Sequence, residues 1–147
     1  MMINEETGLR VVEEARKWIG TPFRHAAFKM GVGVDCANLL IQVFAGTGTI
    51  QAFRLPFYPP DWFLHSTRER ILELLEAYAL PILDNEVRPG DVLTYQFGKA
   101  VAHTAIYAGD GYMIHAMSGL GVMCDPMNVA SLQGRYRGAY RVKQDGR

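Results

Sequence analysis

The chain has 147 residues, 49% of them hydrophobic and 20% charged, enough for one domain whose core needs no disulfide or metal staple. Lysine plus arginine and aspartate plus glutamate number 15 each, and a formal net charge of zero argues against a general nucleic-acid binder. No apolar run approaches the roughly 18 residues of a membrane-spanning helix, so no membrane partner is expected.

The opening stretch, MMINEETGLR, is polar and acidic and carries no basic-then-apolar leader. The expectation is synthesis in the cytoplasm without a signal peptide, with any work elsewhere depending on delivery by something else. Cys36 and Cys124 are accordingly read as two free thiols. From Asn4 to Trp18 the chain reads as an amphipathic helix, with Leu9, Val12, Ala15 and Ile19 on its apolar face and Gly20 as its stop. A long ordered loop with Pro22 and several glycines follows.

That loop delivers the chain to Asp35, a good N-cap, which puts Cys36 in the first turn of a second helix. Leu39, Leu40, Val43 and Phe44 recur there at helical spacing, and Ala45–Thr49 forms a turn. A cysteine in a first helical turn faces unpaired N–H groups and the positive end of the dipole. Both favour the nucleophilic thiolate. A small buried core residue is the alternative reading of Cys36.

Gln51 to Trp62, QAFRLPFYPPDW, has too many prolines for regular structure and too many aromatic rings for a disordered linker. It is read as an ordered loop that either lines a groove or covers the helices. A third helix is expected from about Ser66 to Ala79, with Ile71, Leu74, Leu75 and Tyr78 on one face. After the turn Pro89-Gly90-Asp91 the pattern becomes strand-like. Strands are expected at Val92–Phe97, Val101–Tyr107, Tyr112–Ala116, Val122–Cys124 and Tyr136–Val142, with a short helical turn in Met127–Leu132. Helices followed by an antiparallel meander make one domain of the α+β class.

A cysteine nucleophile needs a base. His103 and His115 lie one on each arm of the hairpin turned at Gly109–Gly111, so a sheet packed on the cysteine helix could bring Cys36 to one ring nitrogen of His103 and His115 to the other. His65 is read as structural, His25 as an exposed loop histidine, and Cys124 as a buried strand residue. One cysteine and two histidines fit a metal by ligand type, but there is no short Cys-x-x-Cys or His-x-x-x-His chelate, so neither metal nor cofactor is expected.

Two blocks, ARKWIGTPFRHAAFKMGVGVDCANLL and RPGDVLTYQFGKAVAHTAIYAGDGYMIHA, resemble the NlpC-type cell-wall peptidases of papain-like fold, in that family's order and across most of residues 10–116. The short N-terminus and the aromatic insertion are most similar to the branch encoded beside phage tail genes. The resemblance implies a cysteine peptidase cutting peptidoglycan stem peptides, typically between D-glutamate and a diamino acid. By position, Cys36 matches the nucleophile, His103 the general base and His115 the residue that orients it. Asp35 matches the acid that contacts a free amine of the substrate.

Two positions depart from the family pattern. Phe23 stands where tyrosine is common, and Ala37 where a substrate-contacting serine is common, which puts substrate identity in question more than reaction type. His25 is the alternative source of a lost polar contact near Phe23. Three other expectations stay open: an assembly module among phage tail proteins with little or no hydrolysis, a thiol amidase or acyltransferase on another amide, and delivery to the cell wall by a phage tail or by lysis.

Overall fold

The computed structural model describes residues 1–144. Helix α1 (Glu5–Arg16) begins where the Asn4 side chain accepts a hydrogen bond from the Thr7 N–H, with Glu5 and Glu6 in the first turn and Arg16 in the last. Thr7, Gly8, Val11, Val12 and Ala15 form its buried stripe. Leu9 and Ile19, expected on that stripe, are instead exposed. Leu9 lies to one side of the stripe, and Ile19 falls beyond the helix end.

Helix α2 (Cys36–Gly46) is capped by Asp35, whose carboxylate accepts from the Asn38 N–H. The expected face of Leu39, Leu40, Val43 and Phe44 is buried, and Ala37 and Ile41 are buried too, so this is the central helix. Each such Leu, Val or Phe contributes about 1.5–3 kcal/mol of burial. The loop before α2 contains a small antiparallel pair that its sequence did not announce, β1 (Phe28–Lys29) and β2 (Gly33–Val34).

Residues 51–59 have no regular structure, as expected, although Trp62 opens a short helix, α3 (Trp62–His65). Helix α4 (Arg70–Tyr78) is shorter at both ends than its apolar periodicity suggests. Its last expected residue, Ala79, starts an unanticipated strand, β3 (Ala79–Ile82). That strand lies at the edge of the sheet, where the missing N–H of Pro81 is tolerated.

The remaining strands are β4 (Val92–Phe97), β5 (Ala100–Gly109), β6 (Tyr112–Met117), β7 (Gly121–Pro126) and β8 (Tyr136–Val142), and Ala130–Leu132 makes the short helical turn. The six-stranded antiparallel sheet has the order β3-β8-β4-β5-β6-β7. Strands β4 to β7 form the expected meander. Strand β8 departs from it, crossing back to pair with both β3 and β4. One face of the sheet packs Val92, Ile106 and Ile114 against the helices. The other buries Leu93, Tyr95, Ala105 and Met113 with Leu132.

Two contacts fix the Pro89-Gly90-Asp91 turn. Asp91 is buried and receives both Nε (2.9 Å) and Nη2 (2.8 Å) of Arg141 from β8, while Arg141 Nη2 also donates to the Glu86 carbonyl. Gly90 adopts φ +96°, and its Cα lies against the backbone of Gly8 in α1. A Cβ on Gly8 would come within 2.2 Å of the Pro89 carbonyl oxygen.

This approach predicts the sign of one substitution. Alanine in place of Gly8 gains about 1 kcal/mol of helix propensity, but the clash is with backbone, and overpacking of this kind costs about 1–3 kcal/mol. Gly8→Ala is expected to lower the thermal midpoint. An unchanged or raised midpoint would show that α1 and the turn separate easily.

Candidate active site

The site forms where the first turn of α2 meets the middle of β5. Cys36 Sγ donates to the Ala102 carbonyl (3.5 Å), and Thr104 Oγ1 donates to the Cys36 carbonyl (3.4 Å). The cysteine is thus held by the two neighbours of His103, whose side chain is buried. Rings of Tyr95 and Phe97 stand 5.9 Å from the His103 ring centroid and restrict its rotation.

Sheet register supplies the rest. Strands β5 and β6 pair with Ile106 opposite Ile114, interrupted by a bulge between Tyr107 and Gly109. Continuing that register along the strands places His115 opposite Ala105, diagonal to His103 on one face. His103 Nε2 and His115 Nδ1 are 2.9 Å apart. On the other side, His115 Nε2 is 2.8 Å from Asp125 Oδ2, on β7.

Asp125 settles the tautomers. A carboxylate only accepts, so His115 Nε2 carries the proton and Nδ1 of the neutral ring is an acceptor. His103 Nε2 must then be the donor between the rings, leaving its Nδ1 as the acceptor nitrogen. Sequence reasoning found His103 and His115 and missed Asp125, which falls just past the strand expected to end at Cys124. The alternation of β7 beyond Cys124 is the signal that could have found it. Cys124 itself, expected to be buried, is exposed on that strand, which forms an edge of the sheet.

Burial pushes the Cys36 thiol up to about 12, and the adjacent Asp35 carboxylate adds to this. The Thr104 and Ala37 hydrogen bonds oppose the shift without cancelling it. Burial, then the neighbouring His115, brings His103 down to about 3. His115 is also lowered by burial, with Asp125 pulling the other way. Burial thus works against the thiolate that the helix start was expected to favour, and it favours the neutral imidazole as well.

Asp35 is buried, and both of its oxygens are occupied. Oδ1 accepts from the Asn38 N–H (2.9 Å) and Nδ2 (3.0 Å). Oδ2 accepts from the Ala26 N–H (2.8 Å) and from the Tyr58 hydroxyl. Tyr58, from the aromatic loop, thereby places a phenol beside the helix start, and burial against Asp35 holds it protonated far above the ordinary range. Phe23, half-buried, bridges to Val34 and packs on the core. Ala37 is buried and faces a cavity rather than a polar partner.

His25 is not a free loop histidine. Its Nε2 is 2.7 Å from the Tyr58 carbonyl oxygen, and its ring meets the Tyr58 ring edge-on at 4.7 Å. His65 pairs with Asp61 on the surface and has no part in the site. The structure thus joins His103, His115 and Asp125 in one hydrogen-bonded row, seats Cys36 against the two neighbours of His103, gathers Asn38 and Tyr58 around Asp35, and leaves His65 and Cys124 outside.

Two measurements test this electrostatic picture without any substrate. Nitrogen-15 NMR of labelled histidine is expected to show His115 protonated at Nε2 and bare at Nδ1, with Asp125→Ala mixing the tautomers; an unchanged spectrum in the variant would remove Asp125 from this role. Because His103 is lowered in the folded state, the unfolded chain binds more protons below pH 6.5, and stability must fall as pH falls from there toward about 3. One such imidazole contributes at most about 1.4 kcal/mol per pH unit. The denaturation midpoint of Cys36→Ala protein is expected to drop between pH 7.5 and 5.5, and to drop less when His103→Ala is added. Equal drops would mean that His103 is not held neutral.

Comparison with known proteins places this geometry. The family model described as NlpC/P60 matches residues 20–141. The protein described as "Probable endopeptidase Rv2190c" of Mycobacterium tuberculosis is 31% identical over 119 residues, covering 80% of this chain and 26% of that protein. The gamma-DL-glutamyl hydrolase of Bacillus subtilis is 34% identical over 110 residues, covering 72% of this chain and 22% of that protein. The chain thus spans about a quarter of the length of these relatives. A crystal structure of a lipoprotein-like NLP/P60 family protein from Staphylococcus aureus has the same fold, with a TM-score of 0.68 at 22% identity, covering 97% of this chain and 43% of the other. Helices at the N-terminal side, a cysteine at a helix start and an antiparallel sheet behind it form the papain-like α+β arrangement, and the chain belongs to the NlpC/P60 family.

Proposed function

We propose that this protein is a cysteine peptidase of peptidoglycan stem peptides, cutting an amide made by the γ-carboxyl of D-glutamate through an acyl-enzyme on Cys36. The observation that carries the reading is the hydrogen-bonded row His103–His115–Asp125, with Cys36 held against the two neighbours of His103. The family and the relatives described as endopeptidase and gamma-DL-glutamyl hydrolase supply the substrate class.

The chemistry follows from the protonation states. As the thiol sulfur attacks the amide carbonyl, its proton passes to His103 Nδ1, so charge develops only in the transition state. The His103 cation is stabilised through His115 Nδ1, and the His115 Nε2–H bond to Asp125 makes that nitrogen a better acceptor. The Cys36 N–H, in the first turn of α2 where no helical carbonyl pairs with it, is a natural donor to the oxyanion. The amine leaves with the proton held by His103, forming a thioester. Water then attacks with His103 again as base, releasing the carboxylic acid and restoring the thiol.

The decisive experiment incubates wild-type and Cys36→Ala protein with purified stem peptides and reads the products by mass spectrometry. A new fragment that Cys36→Ala fails to produce is expected; a folded Cys36→Ala protein with wild-type rate would sink the assignment. His103→Ala is expected to lose nearly as much. Asp125→Ala, which loosens rather than removes the base, is expected to lower kcat by up to about 100-fold with little change in KM. Asp125→Asn, whose amide oxygen can still accept from His115, should recover part of that loss.

A further inference from the structure

The hairpin of β1 and β2 presents apolar side chains to solvent from an ordered frame. Met30 and Val32, at its turn, are 42% and 52% exposed, and Phe28 on β1 is 38% exposed. The turn itself is held on several sides. The Val32 N–H donates to the Lys29 carbonyl (3.0 Å), the Gly31 N–H to Thr21 Oγ1 (2.9 Å), and Arg24 Nε to the Val32 carbonyl (3.1 Å). The Arg24 stem lies against Gly33, where a Cβ would come within 2.5 Å of it.

The aromatic loop extends this surface. Phe57 is 86% exposed, and with Phe28 and Arg54 it lines a hollow of about 250 Å³. Arg54 lies over the Phe28 ring, 4.7 Å from its centroid. The charge here has one sign. Residues 22–34 and 51–60 contain Arg24, Lys29 and Arg54 and no aspartate or glutamate, in a chain whose charges balance at 15 each. The next acid along the chain, Asp35, is buried with both oxygens occupied. None of the three cations joins a salt bridge among the described residues.

We propose that this face docks on an anionic lipid surface, with Met30, Val32 and Phe57 entering the interface and Arg24, Lys29 and Arg54 meeting the headgroups. The two features answer to different depths of a bilayer. Apolar side chains gain by leaving water for the acyl boundary, and cations gain by approaching anionic headgroups. A polyanion in solution would match the cations and leave the apolar side chains in water. A neutral apolar partner would leave the cations unmatched. Because the turn is already ordered, docking it costs little conformational entropy. The expectation of no membrane partner came from the lack of a spanning run, which does not bear on a peripheral contact of this kind. The proposal is independent of the peptidase reading.

The test is co-sedimentation of the full chain with vesicles at about 0.1 M salt. One set is an equimolar mixture of phosphatidylcholine and phosphatidylglycerol, and the other is phosphatidylcholine alone. The protein is expected to pellet with the mixed vesicles and to stay in solution with the neutral ones. Lys29→Gln is expected to weaken the partition about fivefold, the usual contribution of one cation at such a surface. Met30→Ser combined with Phe57→Ser is expected to weaken it by about tenfold or more. Both side chains are exposed, and a thermal midpoint equal to wild type checks that the fold is kept. Phe57→Ser alone repeats the test should the pair fail to fold. Arg137→Gln removes the same charge from β8, where the guanidinium is bonded to Gln96, and is expected to bind as wild type does. No binding to the mixed vesicles, equal binding to the neutral ones, wild-type binding by the serine variants, or an equal loss from Arg137→Gln would overturn the proposal.

Discussion

The Asp35 carboxylate accepts hydrogen bonds from three separate parts of the chain, and the position of Cys36 depends on them. Its oxygens hold the first turn of α2 through Asn38, the preceding loop through Ala26, and the aromatic loop through Tyr58. Ala26 takes a positive φ of 63° to direct its N–H there, a conformation that costs a non-glycine residue about 1–2 kcal/mol. A buried carboxylate is tolerable only when it is fully hydrogen-bonded, and this one is. Were any of the three segments to let go, the others would lose the partner that orients them.

That arrangement works against the reactivity of the thiol. The negative charge next to Cys36 raises the thiol pKa, and burial raises it further. Position is secured while thiolate is suppressed. On the opposite side, the sheet holds His103 neutral by burial, with His115 beside it. Asp125 contributes without touching the sulfur. It directs the proton on His115, which in turn directs the one on His103.

Much of this was legible from residue types and spacing, and the failures have physical causes. A good N-cap before a cysteine and an apolar stripe after it announce α2, because capping and burial are local. The two histidines flanking a Gly-Asp-Gly turn announce a hairpin. Asp125 was not legible, because its role depends on β7 continuing two residues past Cys124 in register with β6. Tyr58 and His25 were read apart, as parts of two loops, since nothing local says that those loops touch. The sequence also misled about Leu9 and Cys124, where apolar or small residues face solvent.

The sequence by itself determined the α+β class, the capped helix that starts at Cys36 and the two histidines of the hairpin, because helix caps, periodicity and turns act over a few residues. Only the tertiary structure set the burial that works against the thiolate and the imidazolium, since burial is a property of the packed whole. Only it completed the relay with Asp125, joined the aromatic loop to Asp35, and set Arg54 over Phe28 beside the β1–β2 hairpin. Those contacts link residues far apart along the chain, and their geometry exists only once the sheet register and helix packing have been fixed.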